Sequence, residues 1–223
     1  NNPSVNIINA KGQLQNIFTV PANFKMHATE YGPRRNGVWE GLSFSADYKK
    51  LWVSTEEPLY QDGPRAEVYP NKAYTRIIKY DVKTRKPIAQ YAYLLEPVAH
   101  IPIPADAFKV NGISEILALG DNKLLVMERS YSTGNFKNTI RVYEVDFTNA
   151  TNLQEKSISE IKDFKAATKK LLLNMDDLDI YIDNVEGLCF GPMLQNGKQS
   201  LIFIVDNNFS PQEPQQVFLF EVN

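Results

Sequence analysis

The chain has 223 residues, 43% hydrophobic and 22% charged, which is an ordinary composition for a folded domain long enough to bury a core. A formal net charge of −2 excludes a basic field for nucleic acid or acidic membranes, and apolar runs such as LIFIV at 201–205 are too short to span a bilayer. One cysteine, Cys189, excludes an internal disulfide; with His27 and His100 the only histidines, a His/Cys zinc site and a serine–histidine triad lack their parts.

The predicted elements are almost all strands. From the N-terminus, SVNIIN (4–9), a turn at Ala10-Lys11-Gly12 and LQNIFTV (14–20) read as the last two strands of a unit. NGVWEGLSF (36–44), an inner strand with Leu42 and Phe44 as its apolar side, a turn at 46–49 and LWVSTE (51–56) form a hairpin, followed by RIIKYDV (76–82) and PIAQYAYLL (87–95). The Pro-containing stretch 96–110 reads as a surface loop. NGISEILAL (111–119), KLLVME (123–128), IRVYEV (140–145) and KLLLNM (170–175) repeat the order, with Ile158, Ile161 and Phe164 at helical spacing predicting a short helix between the last two. DNVEGLCF (183–190), LIFIVD (201–206) and VFLFEV (217–222) repeat it again, and Cys189 is expected in the core as a small apolar residue.

The repeat is marked by acids. Each unit opens on a glutamate, Glu40, Glu115 or Glu186, and its second run closes on Glu56, Glu128 or Asp206. The third runs end alike, on Tyr80-Asp81-Val82, Tyr143-Glu144-Val145 and Phe220-Glu221-Val222. Repeated units of four antiparallel strands are the signature of a β-propeller; an α/β fold would need alternating long helices, and a β-sandwich, the alternative that the strands alone leave open, would not predict this repeat. The expectation is therefore an all-β propeller domain. Residues 1–22 end a preceding blade, and 36–95, 111–175 and 183–223 are successive blades. Three blades do not close a ring. The chain is thus expected to start at a processed or truncated end and to be the C-terminal part of a larger ring of about six blades. The missing N-terminal part, in cis or as a cleaved chain, would add the first blades and the fourth strand of the last.

Several segments carry a family resemblance: GPRRNGVWEGLSFSADYKKLWVSTEEPLYQDG (32–63), YDVKTRKPIAQYAYLLEPV (80–98), NGISEILALGDNKLLVMERSYSTG (111–134), RVYEVDF (141–147) and DNVEGLCFGPMLQNGKQSLIFIVDNNF (183–209). Together they resemble the phytase-like family described as esterase-like activity of phytase, over most of residues 4–222. The resemblance implies a β-propeller in an exported, secreted or periplasmic protein. It also implies hydrolytic activity on phosphate or other esters.

In a propeller the first strand of each blade lines the central channel, so Glu40, Glu115 and Glu186 are expected to converge near its mouth, with Glu56, Glu128 and Asp206 as a second ring. Converging carboxylates repel, and a set of oxygen ligands suits Ca²⁺, or Mg²⁺, with Asn36, Asn111, Asn184 and Asn207 adding neutral oxygens. Arg129 is placed to neutralise a carboxylate or grip a phosphate. These acids admit three roles: structural bonds to backbone N–H groups, metal coordination, and general acid or base catalysis by Glu40, Glu115 or Glu186 with Arg129. Two functions follow, a metal-dependent hydrolase of phosphate or carboxylic esters at the channel mouth, or a non-catalytic binding or scaffold propeller with a structural cation. Arg34 and Arg35 read as a surface turn or as phosphate ligands, and Tyr60, Asp62 and Arg65 as the border of a substrate cleft. DDLDIYID (176–183) reads as a solvated acidic loop, because Ile182 and Leu188 break the EF-hand pattern.

Overall fold

The computed structural model of the chain describes residues 2–135 and 137–222. Its strands make four antiparallel sheets. A small hairpin pairs β1 (Asn6–Ile8) with β2 (Leu14–Ile17). The first blade runs β3 (Trp39–Phe44), β4 (Lys50–Thr55), β5 (Tyr74–Asp81) and β6 (Lys86–Leu94) in sequence order. The second runs β7 (Lys109–Ala118), β8 (Lys123–Ser132), β9 (Thr139–Asp146) and β10 (Thr168–Asn174). The third has β11 (Val185–Phe190), β12 (Ser200–Val205) and β13 (Val217–Glu221). The inner strands β3, β7 and β11 lie next to one another. The fold is all-β, an open arc of propeller blades.

The core lies between blades, and this explains why the second strands read as continuous apolar runs. Leu51 and Val53 of β4 pack on Phe18 and Phe24 of the N-terminal segment, while Trp52 between them turns to Ile113 and Ile116 of β7. Leu125, Met127 and Val142 of the second blade meet Val185, Leu188 and Phe203 of the third. A strand covered on both faces has no polar alternation to show.

At the ends of the arc two expectations change. Cys189 is exposed, because Leu188 turns inward to the second blade and Cys189 turns to the opposite face of the third. On that face Ile204, Val217 and Leu219 are exposed as well. Leu42 and Phe44, expected as the apolar side of an inner strand, are exposed too; Gly41 and Ser43 face the second blade instead, and Ser43 Oγ accepts from the Ala118 N–H at 2.9 Å. The short helix predicted around 158–164 is a single 3-10 turn, Ile158–Glu160, closed by a capping box between Ser157 and Glu160.

A buried ion pair fixes the loops on the outer side of the first blade. Arg76 and Asp62 have fully buried side chains, and Arg76 spends all five N–H donors on Asp62, Gln90 Oε1 and the carbonyls of Gln154 and Lys156. Asp62 also accepts from the Ile158 N–H at 2.9 Å. Asp62 is thus a structural residue and not the border of a cleft. No helix of the described residues is long and apolar enough to cross a membrane.

Candidate functional site

A cleft of about 470 Å³ opens where the three blades meet, lined by Glu40 and Glu56 of the first, Arg129 of the second and Glu186 of the third. Its geometry starts from a glycine. A Cβ on Gly112 would stand 2.6 Å from Glu56 Cγ and 2.9 Å from the Glu56 carbonyl oxygen, so only glycine lets the Glu56 side chain lie across β7. Having crossed, Glu56 Oε1 accepts from an Arg129 N–H at 3.0 Å. Arg129 reaches in turn to the third blade, donating to Asn184 Oδ1 and, at 2.9 Å, to Glu186 Oε1. One guanidinium therefore joins all three blades.

The repeat of acids is not kept in register. Val53 and Phe203 each turn toward the element preceding their own blade, but Leu125, which the sequence repeat aligns with them, turns toward the blade that follows. In the second blade the register is shifted by one residue, and a one-residue shift sends every side chain to the opposite face. The structural counterpart of Glu56 is thus Arg129, while Glu128 points back to the first blade. There its two oxygens accept from Tyr93 Oη (2.6 Å), Lys169 Nζ (2.8 Å), Asn111 Nδ2 (2.6 Å) and the Glu96 N–H (3.0 Å). Glu128 is buried and fully bonded, a structural carboxylate.

The other expected ligands divide as well. Glu115 lies outside the cleft, half-buried between the inner strands, where its Oε1 accepts from the backbone N–H groups of Leu42 (3.0 Å) and Ile116 (2.8 Å). Asp206 caps its own turn by accepting from the Asn208 N–H, and Asn207 accepts from the Phe209 N–H. Asn36 lines the cleft with a positive φ of 60°. Arg34 is held by the carbonyls of Pro58 and Gly63 over the Tyr60 ring, whereas Arg35 lines the cleft and makes no bond to the described residues. Arg65 lines it too, paired to Glu57.

Electrostatics follow from burial. Desolvation pushes the Glu56 carboxyl up to about 7, against the pull of Arg129 and with the repulsion of Glu40 and Glu57. Desolvation also raises Glu115 to about 7, over the opposing backbone bonds. Glu40 is raised by burial and by Glu186, with Arg129 opposing. Two buried polar atoms at the cleft, Arg129 Nε and Asn138 Oδ1, have no partner among the described residues.

Among the described residues no three Asp, Glu, His or Cys side chains converge to hold a metal ion. The donor set does not fit Ca²⁺ or Mg²⁺: Glu128 and Asp206 point elsewhere, and the Arg129 guanidinium occupies the position between Glu56 and Glu186 that a cation would need. Sequence reasoning missed Glu57, Phe108, Val110, Tyr131, Asn138, Asp183 and Glu213 as lining residues. Glu57 directly follows Glu56, and Asp183 belongs to the acidic stretch 176–183, but the others carry no repeat signal.

A family model described as phytase-like, esterase-like activity of phytase, matches residues 1–209. Neither the comparison with curated proteins nor that with solved structures gives a match.

Proposed function

From the premise that the chain belongs to the phytase-like family, we propose that it is a hydrolase of carboxylic esters acting in this cleft, with Glu56 as general base. The observation that carries the reading is the state of Glu56. Its carboxyl is buried, one oxygen is held by Arg129, and Oε2 makes no bond to the described residues. A base poised near neutrality and oriented by a fixed partner is what proton abstraction from water requires. In this reading water is the nucleophile, activated by the unbonded Oε2 of Glu56. Glu56 takes the proton from water as the water oxygen adds to the ester carbonyl. The guanidinium groups of Arg129 and Arg35 stabilise the oxyanion. Collapse then expels the alcohol, which recovers the proton.

Charge selects among esters. The lining carries six acids, Glu40, Glu56, Glu57, Asp183, Glu186 and Glu213, against Arg35, Arg65 and Arg129. A polyphosphate such as phytate would meet net repulsion, whereas a carboxylic ester would not. The test is turnover of p-nitrophenyl acetate, p-nitrophenyl phosphate and phytate, with and without EDTA. The reading expects hydrolysis of the acetate, insensitive to EDTA. A folded protein that turns over none of the three refutes it.

A second reading, a non-catalytic scaffold propeller, is favoured by one observation: Arg129 binds residues of the blades on either side of its own. In either reading we place the protein outside the cytoplasm, secreted or periplasmic. Further blades, in cis or as a separate chain, would cover the apolar faces exposed at the two ends of the arc.

A further inference from the structure

We propose that the ester taken by this cleft carries an aromatic group, seated on a shelf built by Phe108 and Tyr131. This rests on the cleft being the place where an ester binds. The shelf comes from an unequal strand length. β7 and β8 have ten residues each, whereas the inner pairs β3–β4 and β11–β12 have six in every strand, so the β7–β8 hairpin overhangs its neighbours. On the overhang Val110 pairs with Tyr131, and Gly112 with Arg129. Residues directly opposite, and residues two apart, share a face of a sheet. Phe108, Val110 and Tyr131 therefore continue the same face that presents Arg129, with Tyr131 about 7 Å beyond it along the strand.

Phe108 and Tyr131 are 57% and 38% exposed, their ring centroids 6.0 Å apart and their planes tilted by 39°. Both line the cleft. Exposed aromatic rings beside a polar centre lose water favourably when a third ring packs on them, and the quadrupoles of the rings favour offset or edge contact over a purely aliphatic partner. The shelf is fixed at its base, because the Phe108 carbonyl accepts from both the N–H (3.0 Å) and Oγ1 (2.9 Å) of Thr133. The pairing predicts which part of a substrate goes where. The carbonyl meets Glu56 and Arg129, and a ring bonded to it or one atom away reaches Tyr131.

The test compares methyl benzoate with methyl cyclohexanecarboxylate, matched in size and leaving group, by pH-stat titration. It also measures binding of N-methylbenzamide and N-methylcyclohexanecarboxamide, which are not turned over, by NMR. The aromatic member of each pair should bind at least fivefold more tightly. Phe108→Leu keeps an exposed apolar side chain, so folding is not at risk; it should raise KM for methyl benzoate about fivefold and leave the cyclohexane ester within twofold. Aromatic preference in the amide pair, lost in Phe108→Leu, supports the shelf even if neither ester is hydrolysed, and then only the hydrolase reading falls. Equal binding of the two amides, or a preference untouched by Phe108→Leu, overturns the shelf even if both esters are hydrolysed.

Discussion

Glu56 of the first blade and Arg129 of the second meet at 3.0 Å across β7, and the contact exists because residue 112 has no side chain. Gly112→Ala should therefore act on this contact directly. The added methyl meets both the Glu56 side chain and its carbonyl oxygen. Overpacking of this kind costs about 1–3 kcal/mol, and chemical denaturation should show it as a lower midpoint with an unchanged slope. Ester turnover should fall along with the displaced carboxylate.

Arg129 itself is the point where three blades are joined. Arg129→Met leaves Glu56 and Glu186 facing each other without a counter-charge, at a cost of about 2–3 kcal/mol, below the full range for breaking a buried pair because Glu186 is 35% exposed. Arg129→Lys should not restore stability, since one ammonium cannot span acceptors on two sides as the planar guanidinium does. Thermal melts of the two variants check this, and a lysine variant as stable as the parent would show that charge alone suffices.

The buried carboxyls set a pH dependence of stability. Glu56 and Glu115 are pushed up to about 7 by desolvation, and Glu40 is raised by burial and Glu186. A carboxyl with a raised pKa binds more protons folded than unfolded, so its contribution is fully present below the unfolded value near 4.5 and is lost as pH rises through about 7. Asp47 and Asp81 are lowered to about 2 by hydrogen bonds with Ser45 and Thr84 first among the causes, and their contribution is lost only below about pH 4. A comparison of melting at pH 5 and pH 8 thus isolates the raised groups, and pH 5 should be the more stable. Glu115→Gln should flatten the difference by about 2–3 kcal/mol at most.

The Arg76–Asp62 pair predicts a purely structural phenotype. Arg76→Ala strands a buried carboxylate, and breaking a pair with both side chains at 0% exposure costs about 3–5 kcal/mol. Replacing both partners by Met and Leu should recover a good part of that loss in urea melts.

The sequence shows the propeller plainly, because the threefold order of strand, turn and acid-ended strand is a direct record of blade geometry. What it hides is register. Glu128 stands in the same place in the repeat as Glu56 and Asp206, yet a one-residue shift in the second blade turns it to Tyr93 and Lys169 and gives its expected place to Arg129. The pairing does not mark it either, since all three blades carry an irregularity at this end of the inner pair, between Trp39 and Leu42, Ile113 and Glu115, and Val185 and Gly187. The glycines in the NG pairs at 36–37 and 111–112 provide clearance, which residue type alone does not announce: Glu57 lies over Gly37 as Glu56 lies over Gly112. Exposure at the arc's ends was not legible either: Leu42, Phe44 and Cys189 have core chemistry and no neighbour among the described residues to bury them.

The most direct test of the account is the pH–rate profile of kcat/KM for p-nitrophenyl acetate, measured for the parent protein and for Glu56→Gln with EDTA present. Catalysis by a Glu56 base predicts a rate that falls tenfold per pH unit below about 7, is unaffected by EDTA, and drops about 100-fold or more in Glu56→Gln while the fold is retained. A parent rate equal to that of Glu56→Gln at every pH, or no turnover by folded protein, would contradict it.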